Sequence, residues 1–179
     1  MRATILLLED LETKLVAAFT KFPLRLNSVD GEIYVVPPVY IGHEPPKKSG
    51  TDDSKPPFVI IKAIKGMPTK SQGKARVCEV KIGFMCAVYS KESESDIKAG
   101  YHDIFNMIER IMITLNNNFY YADNAWYYED DAEWESGLKK ATGVHEGWLD
   151  TQQPYFGATI ECTFTAPSID RPVFTGITR

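Results

Sequence analysis

Cysteine is scarce in this chain. Three occur, Cys78, Cys86 and Cys162, an odd number with no C-x-x-C spacing. That argues against a disulfide framework and against paired-cysteine zinc sites. Cys86 and Cys162 sit on the apolar side of alternating stretches, so all three read as reduced core residues and the chain as coming from a cytoplasm-like compartment. Long apolar runs are also missing. The opening MRATILLL resembles the start of a leader, but Glu9 and Asp10 end the run and no small-residue cleavage site follows. No window is long enough to span a membrane, so the expectation is a soluble, untargeted chain.

Basic excess is absent too. Lysine and arginine total 20 against 24 acidic side chains, a net charge of −4, which argues against a dedicated nucleic-acid surface. The fingerprints of common catalysts do not occur: no G-x-S-x-G, no Walker loop, no G-x-G-x-x-G and no H-E-x-x-H. The glycines are scattered and build no phosphate cradle. His43, His102 and His145 stand apart from other ligand types and read as surface imidazoles. The expectation is a protein that is not an enzyme and holds no cofactor or metal.

What remains is an ordinary globular balance. With 179 residues, 44% of them hydrophobic, the chain can form one domain, residues 1–179, around its own core. Residues 4–22 place Leu8, Leu11, Leu15, Phe19 and Phe22 on one helical stripe, and Pro23 ends it. GEIYVVPPVYIG is strand-like, but Pro37 and Pro38 make it an edge strand or two short strands meeting at a bend. Residues 42–57 hold four prolines and charges of both signs without apolar periodicity, so a flexible loop is expected. Residues 57–65 and 75–90 are strands joined by GMPTKSQGK, a long projecting hairpin. Ile97, Tyr101, Ile104, Phe105, Ile108, Ile111, Met112 and Leu115 mark a second helix over 92–115, with Ser93 or Ser95 to cap it. Residues 119–150 read as short strands and loops. Ala158, Ile160, Cys162 and Phe164 then alternate with polar residues in a half-buried strand stopped at Pro167, with an extended tail over 167–179. The element order predicts an α+β fold: a mostly antiparallel sheet with two amphipathic helices packed on one face.

Two charged segments are candidate sites. YYEDDAEWE, preceded by Trp126, mixes Glu129, Asp130, Asp131, Glu133 and Glu135 with Tyr127, Tyr128 and Trp134. Its plain meaning is a solvated acidic face with aromatics packing the end of a sheet. Tyr and Trp beside charges are also the mix of protein interfaces. A different class stays open: a small metal- or ligand-binding enzyme domain using residues 126–135, with Glu129 and Asp131 as ligands or as acid and base. The hairpin tip KGMPTKSQGKAR carries Lys65, Lys70, Lys74 and Arg76 and no acid. A solvated turn, a contact with the acidic patch of a neighbouring copy, and a nucleic-acid contact are its three readings, in that order.

The chain resembles the tail-terminator and tail-completion proteins of long-tailed bacteriophages, minor tail or neck components. The opening helix LLLEDLETKLVAAFTKFP carries the likeness. So do the hairpin and helix PFVIIKAIKG…VKIGFMCAVYS…GYHDIFNMIERIMITL and the closing PYFGATIECTFTAP. The resemblance covers nearly the whole length. It implies a structural virion protein that assembles in the host cytoplasm. Copies would form a hexameric ring on the tail tube, stop its growth and meet the head–tail connector, with DNA passing through the bore without base-specific contact. A head-completion adaptor or a tube subunit is the alternative within that setting. Three interface regions are expected: Lys70 with Lys74, Asp130 and Asp131 with Trp134, and the loop around Lys47, Lys48, Asp52 and Asp53.

Overall fold

The computed structural model describes residues 2–28, 31–43, 56–69, 77–89, 97–136 and 155–167. Helix α1 (Arg2–Lys21) is followed by the short strands β1 (Leu24–Ser28), β2 (Gly31–Val35) and β3 (Val39–Ile41), then by β4 (Phe58–Thr69) and β5 (Val77–Tyr89). Helix α2 (Ile97–Asn116) leads into β6 (Tyr120–Tyr121), β7 (Trp126–Tyr128) and β8 (Glu133–Ser136), and β9 (Tyr155–Pro167) closes the sheet. The architecture is mixed α+β, two helices with a curled, mostly antiparallel sheet. β1 and β2 pair by themselves. The main sheet runs β3-β4-β5-β9-β7-β6, with β8 also on β9. Only β3 on β4 is parallel.

Local sequence explains most boundaries. Lys21 is the last helical residue of α1 because Pro23 cannot continue it. Pro37 and Pro38 separate β2 from β3, the expected two short strands meeting at a bend. β4 runs further than the sequence predicts, through Met67, Pro68 and Thr69. Proline is tolerated there because β3 reaches only Ile61, so beyond it β4 has β5 alone as a partner in the described sheet. One extra residue, Ile64, sits at a register shift between Ala63 and Lys65.

Strands β5 and β9 are the centre of the sheet. They pair without interruption from Val77↔Pro167 to Tyr89↔Tyr155. Side chains alternate, so each strand has two rows. The core row comprises Val80, Ile82, Phe84, Cys86 and Val88 of β5 and Phe156, Ala158, Ile160, Cys162 and Phe164 of β9, every one buried. It shares one apolar cluster with Leu7, Leu11, Leu15 and Phe19 of α1 and with Ile104, Met107, Ile108, Ile111 and Leu115 of α2. The opposite row is mixed. Phe58, Ile60 and Ala87 form a small second cluster with Tyr40 and Met85 packed against it. The rest of that row carries Glu79, Lys81, Thr163 and Glu161.

Two expected stripe members lie elsewhere. Phe22 falls beyond the end of α1 and is 46% exposed, its ring 4.5 Å from the Arg110 guanidinium. Phe105 is 40% exposed, and Met107 holds the buried position on that part of α2. The free cysteines are half-buried Cys78 and buried Cys86 and Cys162, and burial pushes the Cys86 and Cys162 thiols far above their ordinary range. No helix among the described residues is long and apolar enough to cross a membrane.

The acidic and aromatic edge as a candidate interaction site

β7 and β8 line the margin of β9 that β5 leaves free, and β6 pairs with β7 outside them. β7 pairs at Tyr127↔Thr165 and Tyr128↔Phe164, and β8 at Glu133↔Glu161 through Ser136↔Ala158. Between them lies a break of four residues, Glu129 to Ala132. The break is stitched to β9 by acidic groups. Glu129 N–H donates to the Thr163 carbonyl at 3.1 Å, and the Asp131 carboxylate accepts the Thr163 N–H at 2.7 Å. The Thr165 hydroxyl donates to the Glu129 carboxylate. Asp131 thereby supplies the acceptor that a continuous strand would have supplied from its backbone. Asp130, at φ 55°, turns the chain in the left-handed region, which a short polar side chain tolerates.

The turn between β6 and β7 is held from a distance. Ala122, Asp123 and Asn124 are all left-handed, at φ 48°, 54° and 65°. Such residues cost on the order of 1 kcal/mol each, so the surroundings must fix them. The Asp10 carboxylate of α1 accepts the Ala122 N–H at 2.8 Å and pairs with Lys14 at 2.6 Å. The Lys14 ammonium lies 4.9 Å from the centroid of the Tyr121 ring.

Alternation sorts the aromatics into two sets. Tyr121, Trp126 and Tyr128 point into the core and are buried. Phe164 packs edge-on to Tyr121 and tilted against Tyr128, at centroid distances of 5.1 and 5.6 Å. Burial pushes the Tyr128 phenol up to about 12, with the nearby Asp130 and Asp131 charges acting in the same direction. Phe119, Tyr120 and Tyr127 point the other way and are 45%, 57% and 41% exposed. Tyr127 joins the other two: it stacks with Phe119 at 6.4 Å and meets Tyr120 edge-on at 5.6 Å.

Along β8 the environment changes. Trp134 pairs with Ile160 and so belongs to the core row, where its ring meets Phe105 of α2 edge-on at 5.3 Å. Glu133 and Glu135 fall in the opposite row with Glu161. Lys81 binds Glu161 at 2.6 Å. That hydrogen bond raises the Lys81 pKa against the opposing effect of desolvation, helped by the charges of Glu133 and Asp131. A depression of about 70 Å³ lies beside β8, lined by Glu133, Trp134, Glu135, Thr159 and Glu161. It has room for waters rather than for a buried organic ligand. Among the described residues, no three His, Cys, Asp or Glu side chains are grouped to hold a metal ion.

Asp130, Asp131 and Trp134 are thus neighbours in sequence with separate surroundings. Asp130 is exposed at the turn, Asp131 is bonded to β9, and Trp134 leans on α2. Glu129 and Asp131, the carboxylate pair considered for acid–base or metal chemistry, both engage β9. Lys47, Lys48, Asp52, Asp53, Lys70 and Lys74 lie outside the described residues, as do the loop over 44–55 and the hairpin tip over 70–76. His43 and His102 are exposed. Of the exposed trio Phe119, Tyr120 and Tyr127, the sequence singles out Tyr127 alone. The signal for the trio was the two-residue period that sets Tyr120 and Tyr127 against Tyr121, Trp126 and Tyr128. Neither protein-family models nor curated proteins yield a match to this chain.

Proposed function

We propose that this chain is a structural subunit of a long-tailed bacteriophage. Copies form a ring at the head-proximal end of the tail tube, end tube growth and join the tail to the head connector. In this reading both helices cover one face of the sheet, while the β4–β5 hairpin projects through its basic tip, residues 70–76, toward a neighbouring copy. The observation that carries the reading is the order of elements. A helix, a long hairpin, a second helix, an acidic and aromatic segment and a long strand returning beside the hairpin form the pattern on which the sequence resemblance rests. The ring is head-to-tail, so each copy offers two different surfaces. Lys70 and Lys74 belong to one. Asp130, Asp131 and Trp134 lie toward the other, and the loop around Lys47 and Lys48 meets the tube or connector. The protein works by assembly and holds no cofactor. Its place is the virion neck, reached from the host cytoplasm, and DNA crosses the bore without base-specific contact.

Light scattering on a sizing column tests this, with the chain alone and mixed with tail tubes, followed by negative-stain imaging at high concentration. Closed rings with a bore wide enough for duplex DNA are expected. A chain that neither forms rings nor caps tubes overturns the reading.

A further inference from the structure

The outer hairpin, β6 with β7, hangs on few ladder bonds. β6 pairs only with β7, at two positions, and β7 meets β9 at two. This hairpin carries the exposed Phe119, Tyr120 and Tyr127 on one side and buries Tyr121, Trp126 and Tyr128 on the other. Its turn governs how the two sets are presented, because the twist of a hairpin follows the handedness of its turn.

Two costs meet at that turn. Ala122, Asp123 and Asn124 are successive left-handed residues, and Ala122 has neither the freedom of glycine nor a polar side chain to ease that conformation. The Tyr121 hydroxyl, just before them, is buried with no hydrogen-bond partner among the described residues. Orphaned buried polar groups are rare in native folds, and strain held by the surroundings is typical of elements that switch. Inside the turn, the Ala125 N–H donates to the Ala122 carbonyl at 3.1 Å. The rest of the hold comes from α1. The Asp10 carboxylate accepts the Ala122 N–H at 2.8 Å. Lys14 donates to both oxygens of that carboxylate at 2.6 Å, and its ammonium lies against the Tyr121 ring. The Lys14 and Asp10 side chains are 26% and 24% exposed, so water can reach this clasp and compete with it.

We propose that Asp10 is a latch that couples α1 to the outer hairpin. With the latch closed, the turn is left-handed, Tyr121 is sealed and the exposed trio is held in place. With it open, the turn relaxes to right-handed values, the Tyr121 hydroxyl gains water and β6 parts from β7. A displacement of α1 is thereby reported at the trio, although Asp10 and Ala122 are 112 residues apart in sequence. The latch does not depend on ring formation.

Hydrogen exchange followed residue by residue in the full-length protein tests it, together with tyrosine nitration mapped by mass spectrometry. The Ala125 and Tyr128 amides are bonded within the hairpin, Tyr128 to the Phe119 carbonyl. In Asp10→Ala their exchange quickens about tenfold relative to the Phe84 and Ile160 amides of the central strands. Tyr121, protected in the parent, becomes nitrated, while Tyr120 and Tyr127 react in both. Asp10→Asn keeps an oxygen for the Ala122 N–H and recovers most of the protection. Ala122→Gly eases the left-handed turn, so in that background Asp10→Ala quickens the hairpin by a factor about threefold smaller. Equal acceleration at all four amides, or a Tyr121 that stays protected, makes Asp10 an ordinary structural contact and overturns the latch. If Asp10→Ala does not fold, Ala122→Gly decides alone. Exchange at Ala125 and Tyr128 slower than in the parent upholds the latch, and equal or faster exchange overturns it.

Discussion

The core row and the opposite row of β5 and β9 are built on the same backbone, with one register and one set of ladder bonds, yet they carry different loads. In the core row every residue from Val80 to Val88 and from Phe156 to Phe164 is apolar and enclosed. In the opposite row an apolar patch, Met85 and Ala87 of β5 packed with Phe58 and Ile60 of the neighbouring β4, gives way to Glu79, Lys81, Glu161 and threonines. Stability resides in the first row. The second is left free to choose partners, since exposed charges contribute little to folding.

Urea denaturation measures the contrast directly. Phe84→Ala removes a fully buried ring from the core row and costs about 3–5 kcal/mol. The next effect concerns how closely α2 approaches β9. A methyl at Gly100 would lie 1.9 Å from the Phe156 ring, so Gly100→Ala costs about 1–3 kcal/mol. Gly83, in the opposite row, meets only the flexible end of Ile64 at 2.6 Å, and Gly83→Ala costs less. If the two glycines behave alike, the rows are not as different as described.

Asp131→Ala leaves the Thr163 N–H without its carboxylate and costs about 1–2 kcal/mol, discounted for exposure, while Asp131→Asn keeps an acceptor and recovers most of it. A cation added at near-neutral pH leaves the melting temperature of both variants and of the parent unchanged if Asp131 serves β9 alone. A rise with Mg²⁺, Mn²⁺, Ca²⁺ or Zn²⁺ in the parent would restore metal binding as a reading.

Alkaline pH probes the core side of the edge. The folded Tyr128 phenol titrates near 12 and an unfolded one near 10. The native state therefore holds its proton longer, the stabilisation is complete below about pH 10, and it is lost as pH rises toward 12. Stability should fall by roughly 1.4 kcal/mol per pH unit for this phenol, and Tyr128→Phe should flatten the slope. The smallest change is expected at Lys81→Met, within about 1 kcal/mol, because the pair with Glu161 is solvated. A cost like that of Phe84→Ala would make the opposite row structural.

Local rules made much of the fold legible. Pro23, the Pro37–Pro38 break and the alternation of β9 each act through the residue's own backbone or its nearest neighbours. The α2 stripe was legible in period and blurred at its edges. Tyr101, Phe105 and Met107 all fit a helical spacing, and only the position of β9 and Trp134 decides which of them is enclosed. The candidate site was harder for the same reason. Asp131 reads as one acid in a solvated run until β7 and β8 are known to flank a gap opposite Thr163. Trp134 reads as a companion of Asp130 until its register with Ile160 turns it toward α2. Contacts between segments far apart in the chain assign these roles, and no local pattern encodes them.

Strand β9 binds β5 along its whole length on one side and β7 and β8 on the other. During synthesis, β5 leaves the ribosome long before β9, β7 emerges with only the two-residue β6 to pair against, and β8 emerges without its partner strand. Until Tyr155–Pro167 arrives, the nascent chain carries an unpaired, aliphatic β5 edge exposed to every other unfinished copy nearby. Such late, long-range pairing is slow and prone to aggregation. Yield should therefore respond to translation speed and to chaperone supply more than the finished molecule's stability would suggest.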